Sequence, residues 1–216
     1  MTSAFDFQGV KDYFISCLQG KAIQGVVIIG GQGGYYKLPE LSTTDYMFNT
    51  AYHIYGDQYL VPTKGDIEVQ LSMFLADHSA ECVQETNDAQ KDIVIQQEGN
   101  ASTIVELRET DVAATVVLPL SMKKNDIIHK EDTFVVNVPG LRLKDMADAS
   151  KEVADAQLLN ESLVCISCLT NIADKYNFTI DFMRSDGGDV FYQIIDDNYL
   201  VDNQTLLFTF VHKYKI

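Results

Sequence analysis

The stretch that decides the fold is Leu143–Lys175, LKDMADASKEVADAQLLNESLVCISCLTNIADK. Its apolar and small side chains recur at steps of three and four residues, the spacing of one helix face. The residues on that face are Leu143, Met146, Ala147, Ser150, Val153, Ala154, Leu158, Ser162, Cys165, Leu169 and Ile172. The spacing predicts one continuous amphipathic helix, roughly 50 Å long. Such a helix forms the spine of a domain or a surface that packs against another chain.

Shorter patterns surround this helix. Ser3–Leu18 has one apolar face and is followed by Gly20, which predicts a short N-terminal helix. Asp77–Gln90 is polar and is expected to be a loop or a short exposed helix, and Tyr35–Tyr59 fits no single pattern. Apolar runs and alternating patterns predict strands at Gln24–Ile29, Gly65–Ala76, Val112–Leu120, Thr133–Val138, Thr179–Met183, Val190–Ile195 and Leu206–Tyr214.

The strands cluster before and after the long helix and do not alternate with helices. This order predicts an α+β fold, in which a mainly antiparallel β-sheet packs with one long amphipathic helix (143–175) and a short N-terminal helix. No internal repeat, low-complexity tract or Pro/Ser-rich linker divides the sequence. We therefore expect residues 1–216 to form a single globular domain.

The composition is strongly acidic. Sixteen Lys and Arg against 31 Asp and Glu leave a formal charge of −15, which repels nucleic-acid phosphates and anionic lipid. No secretory signal or membrane-spanning apolar run is expected, and four cysteines in 216 residues do not suggest a disulfide framework. We therefore expect reduced thiols, no nucleic-acid wrapping, no membrane association, and a cytoplasmic protein or a virion component assembled in the cytoplasm.

A second hairpin, besides the turn at Ser185–Gly188, is predicted ahead of the long helix. Asp92–Gln97 and Thr103–Thr110 flank the turn-forming residues 98–101. One face of this hairpin is largely polar, so at least part of it projects into solvent or onto a partner. The candidate interface residues are Gln96, Gln97, Glu98, Asn100, Glu106 and Arg108.

A glycine-rich segment offers the sharpest candidate for ligand binding. Gly30, Gly31, Gln32, Gly33 and Gly34 follow the predicted strand Gln24–Ile29. Glycine loops after a strand bind phosphate through backbone amides when a helix follows. Here neither the P-loop spacing nor the dinucleotide-binding spacing is present, and Pro39 opposes an immediate helix. The segment is either a tight turn or a ligand contact.

The sequence contains no catalytic, cofactor or metal signature. Cys165 and Cys168 have the two-residue gap of zinc and redox sites, but a second close pair is missing. A redox pair is expected at the start of a helix, and the long-helix prediction instead places both cysteines in a helix interior, as core residues. The four histidines are far apart, and His212 lies on the apolar side of the last predicted strand.

Three functions remain open at this stage. The first is a non-enzymatic structural or assembly subunit, a homo- or hetero-oligomer that makes protein–protein contacts, for which a virion component of the tail or neck type is one candidate. The second is a ligand-binding or regulatory module that uses Gly30–Gly34 and the nearby tyrosines, if those rings converge on a cavity. The third is an enzyme, which requires a pocket with strongly perturbed titratable groups.

Overall fold

A computed structural model describes residues 7–44, 49–158, 164–201 and 204–214. The elements in these residues are, in chain order, α1 (Gln8–Gly31), β1 (Ser42–Thr43), β2 (Thr50–Tyr55), β3 (Gln58–Tyr59), α2 (Lys64–Ala89), β4 (Val94–Gln97), β5 (Ser102–Leu107), β6 (Asp111–Lys124), β7 (Ile127–Pro139), α3 (Leu143–Leu158), α4 (Ile166–Tyr176), β8 (Thr179–Arg184), β9 (Asp189–Val201) and β10 (Gln204–Lys213).

The strands form two sheets. The first has the order β1-β2-β10-β9-β8, with β3 paired to β2, and β2 and β10 run parallel while its other neighbours are antiparallel. In the second sheet β6 pairs with β7 on one side and with β4 and β5 on the other, all antiparallel. This architecture confirms the α+β prediction with mainly antiparallel pairing.

The central element is α1, which packs against α2, β10 and β7. Side chains of both sheets and of α1, α2, α3 and α4 contribute to one hydrophobic core. Near the end of α1, a Cβ built on Gly30 would lie only 2.3 Å from the Leu207 carbonyl oxygen of β10. The helix therefore rests directly on the backbone of the sheet, and only glycine permits that approach.

By length and composition alone, α1 is long and apolar enough to cross a membrane, with a mean hydropathy of 1.3 over an 18-residue window. This differs from the expectation that no segment of the chain has that property. Buried core helices and N-terminal signal sequences meet the same two criteria, and 44% of that window is buried inside the protein.

Two predicted strands are helical. The chain continues as helix through Gly20, so α1 includes the segment Gln24–Ile29 that was predicted as a strand; residues 3–6 of the predicted N-terminal helix lie outside the described part of the chain. A short apolar run fits a buried strand and a buried helix equally well.

The predicted strand Gly65–Ala76 belongs to α2, whose start is marked by a capping box of Thr63 and Asp66. The same helix continues to Ala89, through the segment expected to be a loop or a short exposed helix.

The long helix predicted over Leu143–Lys175 is two helices. α3 ends at Leu158 and α4 begins at Ile166, and Ser162 of the predicted stripe lies outside the described residues. Cys165 is the N-cap of α4, where its sulfur accepts a hydrogen bond from the Cys168 amide at 3.3 Å. The prediction that both cysteines lie in a helix interior was therefore wrong. The apolar residues keep helical spacing on both sides of the break, so the spacing alone did not indicate that a second helix begins there.

The hairpin predicted around residues 98–101 is absent from the fold. β4 and β5 lie end to end along the same edge of β6, with Gln97 opposite Leu120 and Ser102 opposite Val117. Residues 98–101 form a bulge between them, held by the hydrogen bond from the Glu98 amide to the Pro119 carbonyl, 2.8 Å.

The later strands follow the predictions closely. β6 and β7 extend the strands predicted at Val112–Leu120 and Thr133–Val138. β8, β9 and β10 match the last three predicted strands, and the turn at residues 185–188 joins β8 to β9. His212 is fully buried on the inner face of β10, as its position among apolar residues predicted.

The expectation of reduced thiols is contradicted, because all four cysteines form disulfides. Cys17 of α1 is bonded to Cys82 of α2, and Cys165 is bonded to Cys168. The first bond joins two elements that are 65 residues apart in sequence. It therefore fixes the packing of α1 on α2, which sequence spacing did not indicate.

Two glycines of α1 provide a matched test of this packing. Gly30→Ala is expected to lower the free energy of unfolding by about 1–3 kcal/mol, because the added methyl meets a backbone oxygen that cannot rotate away. Gly20→Ala meets nothing within 4 Å and should raise stability by roughly 0.5–1 kcal/mol. Urea unfolding of both variants measures these values, and equal effects would contradict the close approach of α1 to β10.

Candidate functional site

An apolar groove runs between α2 and β5. It has a volume of about 450 Å³ and is lined by Gly65, Glu68, Val69, Ser72, Met73, Ala76, Thr103, Ile104 and Val105. Val69 and Ile104 are 57% and 75% exposed. Val69 lies on α2 at the inner face of the sheet, and Ile104 projects from the outer face of β5 at the same edge. Large apolar side chains this exposed at one edge are typical of surfaces that bind another protein.

The strand side of the groove is an open sheet edge. Among the described strands, only β6 pairs with β5. The Arg108 amide donates to the Asp111 carbonyl, which fixes the alternation of bonded and non-bonded pairs along the two strands. It follows that the backbone N–H and C=O groups of Thr103, Val105 and Leu107 face away from β6. The edge therefore presents a row of groups ready to pair with another strand.

One of these outward groups already has a partner in the protein. The Leu107 amide donates to Glu68 Oε1 of α2, 2.8 Å. The outward-facing backbone groups of Thr103 and Val105 have no strand partner among the described residues. In addition, the Thr103 hydroxyl oxygen is buried and lacks a hydrogen-bond partner in the described part of the chain. The open part of the edge is therefore centred on Ile104.

The α2 side of the groove has a face of small and apolar residues that another element of structure can approach closely. Val69 and Met73 supply apolar contact, while Gly65, Ser72 and Ala76 are small. These residues follow steps of three and four along α2 and so lie on one face. Another helix or an added strand can approach this face without displacing a large side chain.

The six predicted interface residues are all exposed and lie along the same edge of β6, on or beside β4 and β5. Arg108 is bonded to Glu106 at 2.7 Å, and Glu98 to Lys130 at 2.8 Å. Sequence reasoning proposed these six residues from a supposed hairpin and did not propose Val69, Met73 or Ile104. The β-branched run 103–105 indicated a strand, and only the pairing pattern shows that its outer edge is open.

The predicted ligand loop has a different setting from the one expected. Gly30 and Gly31 are the last residues of α1, and Gly33 and Gly34 have positive φ angles of 72° and 98°. The amides of Gln32, Gly33 and Gly34 donate to carbonyls at the end of α1. They therefore do not form an open cradle for phosphate, and the negative end of a helix dipole disfavours an anion there.

The tyrosines described near this loop do not converge on one cavity. Tyr36 packs against Phe74, the Tyr52 hydroxyl donates to Asp189 at 2.9 Å, and the Tyr59 hydroxyl donates to Asp155 at 2.7 Å. Burial, with the Asp189 bond, raises the pKa of Tyr52 to about 12. Tyr46 lies outside the described residues.

The strongest electrostatic perturbation lies inside the core. His53 stacks on Phe210 and donates from Nε2 to the Gly33 carbonyl at 2.9 Å, and burial lowers its pKa to about 4. His212 contacts the Tyr214 hydroxyl through Nδ1 at 2.9 Å, and burial also lowers its pKa. The Tyr214 hydroxyl in turn lies 3.0 Å from that of Tyr192.

These core groups line none of the three grooves in the described part of the chain. Two further grooves lie beside Phe182 and Met183 of β8 and between Lys91 and Lys123. Neither these grooves nor the α2–β5 groove is lined by His53, His212, Tyr192 or Tyr214. Among the described residues no group of three or more His, Cys, Asp and Glu is arranged to hold a metal ion.

No protein-family model, curated protein or solved structure matches this chain.

The two buried histidines predict an acid-sensitive fold. Burial lowers both pKa values in the folded state, that of His53 to about 4, so below pH 6.5 the unfolded chain binds more protons than the native protein. The free energy of unfolding therefore keeps the whole histidine contribution above pH 6.5. As the pH drops below that value, it falls by about 1 kcal/mol per pH unit for each histidine. Urea unfolding at pH 7.5 and pH 5.0 measures the loss.

The variant His212→Phe separates this effect from carboxylate protonation. Phenylalanine keeps the ring packing on Tyr192 and removes one of the two titrating groups. We expect its loss of stability between pH 7.5 and 5.0 to be about half that of the wild type. An unchanged loss would show that His212 is not responsible.

Proposed function

We propose that the protein is a non-enzymatic assembly subunit whose copies pair through the β5 edge. The observation that supports this most is the unpaired edge at Thr103 and Val105 beside an exposed apolar helix face. Edge strands of this kind add to a strand of another chain by backbone hydrogen bonds. Membership of a virion tail or neck stays a prediction.

A second copy of the chain fits this edge by symmetry. Antiparallel pairing centred on Ile104 joins Thr103 of each copy to Val105 of the other, so both outward-facing residues of both copies are satisfied. The two Ile104 side chains become direct cross-strand neighbours on the outer face. The result is one continuous sheet with a two-fold axis, the commonest symmetry among homo-oligomers.

The charges near the edge suit this register. Counting outward from Ile104 within β5, Glu106 lies opposite Ser102 of the second copy. Like charges are therefore not directly opposed. One of the predicted interface residues, Glu106, falls within this register.

The helix faces complete the contact. Both α2 helices lie on the same side of the continuous sheet, because the two-fold axis is perpendicular to it. Val69 and Met73 of each copy then meet across the axis, with Gly65, Ser72 and Ala76 permitting close approach. This contact buries the side chains that are exposed in a single chain.

Light scattering over a wide protein concentration range tests the proposal. We expect a mass twice that of one chain at high concentration. Since each copy carries a net charge of −15, the dimer should strengthen when added salt screens the repulsion. A strict monomer at all concentrations would contradict pairing between copies.

A matched pair of variants locates the contact. Val69→Glu puts a charge in the α2–β5 groove and should lower the dimer affinity at least tenfold, because a carboxylate must be desolvated there. Ile128→Glu introduces the same charge at the far end of β7, at a residue that is 59% exposed against 57% for Val69, and should dimerise like the wild type. Equal loss in both variants would place the contact elsewhere.

A further inference from the structure

Cys165 and Cys168 differ from the other cysteine pair in their place in the fold. Cys17–Cys82 joins two helices across 65 residues, and Cys82 is fully buried. Cys165–Cys168 spans three residues and closes within the first turn of α4. A bond across so short a loop constrains the unfolded chain much less than one across a long loop. Its contribution to the fold is correspondingly small.

The surroundings of the pair favour chemistry at sulfur. Cys165 and Cys168 are both partly exposed, and the intervening Ile166 is 63% exposed, so an external thiol can reach the bond. The Cys168 amide already donates to Cys165 Sγ at 3.3 Å. Since the start of a helix carries partial positive charge, this position stabilises Cys165 as a thiolate.

A buried side chain holds the first cysteine in place. Gln157 of α3 accepts a hydrogen bond from the Cys165 amide through Oε1 at 3.2 Å. Gln157 is itself fully buried, and its side-chain nitrogen has no hydrogen-bond partner in the described part of the chain. The backbone of Cys165 is thus anchored to α3, while both cysteines stay partly exposed.

We infer that Cys165–Cys168 is a thiol–disulfide exchange site, with Cys165 as the sulfur that reacts with the external partner. In the reduced protein the Cys165 thiolate attacks a partner disulfide, and one partner sulfur leaves as a thiolate. Cys168 then attacks Cys165 Sγ, which restores the intramolecular bond and releases the second partner sulfur. Two electrons and the two cysteine protons pass to the partner, so one disulfide and one dithiol are exchanged.

Selective reduction of the wild-type protein is the first test. The native chain is equilibrated with increasing dithiothreitol, quenched in acid and alkylated, and each cysteine is quantified by mass spectrometry. We expect Cys165 and Cys168 to appear as thiols at a reductant concentration at least tenfold below that for Cys17 and Cys82. Simultaneous reduction of both pairs, or the reverse order, would overturn the inference.

Single variants test the assigned order of attack. With glutathione disulfide as the partner, reduced Cys168→Ser is expected to form a mixed disulfide at position 165, releasing one glutathione thiolate, at least ten times faster than reduced Cys165→Ser does at position 168. Quantifying each site separately keeps Cys17 and Cys82 out of the comparison. Equal rates in the two variants, or a faster reaction at position 168, would contradict the role of Cys165.

Discussion

The fold depends on the burial of α1 between α2 and the two sheets. Its contact with β10 is between backbones, since Gly30 leaves no space for a side chain above Leu207. The same helix end supplies the carbonyl of Gly33 that fixes His53, and the disulfide of Cys17 fixes the other face of α1 on α2. The inner faces of both sheets pack around α1, and α2, which packs on α1, is thereby positioned over β5.

That placement leaves one edge of the second sheet unfinished. α2 covers the inner face beside β5 but does not close the edge, so Thr103 and Val105 keep outward-facing backbone groups. The protein already satisfies the next outward amide, at Leu107, with a carboxylate from α2. The open part of the edge and the exposed side chains beside it therefore form one surface, and this coincidence supports a binding role.

The sequence predicted the fold class and most of the strands after Val112 from apolar runs and alternating patterns. It failed for α1 because a short apolar run does not distinguish strand from helix. It failed for α2 because the alternating residues 67, 69, 71 and 73 were interpreted as a strand, although Thr63 and Asp66 carried a helix-capping signal. It proposed interface residues along this edge only through a supposed hairpin. An open edge is a property of pairing between distant strands, and so is invisible in the local pattern. The sequence also did not predict the start of α4 after its N-cap Cys165, because the helical spacing of apolar residues continues across the break.

Amide hydrogen exchange at single residues tests the β5 pairing most directly. The amides of Thr103 and Val105 face away from β6, whereas that of Ile104 is bonded to it in every state. If copies pair through this edge, protection at Thr103 and Val105 rises at least tenfold from dilute to concentrated protein, and protection at Ile104 does not change. Fast exchange at Thr103 and Val105 in a sample that is dimeric by mass would contradict the account.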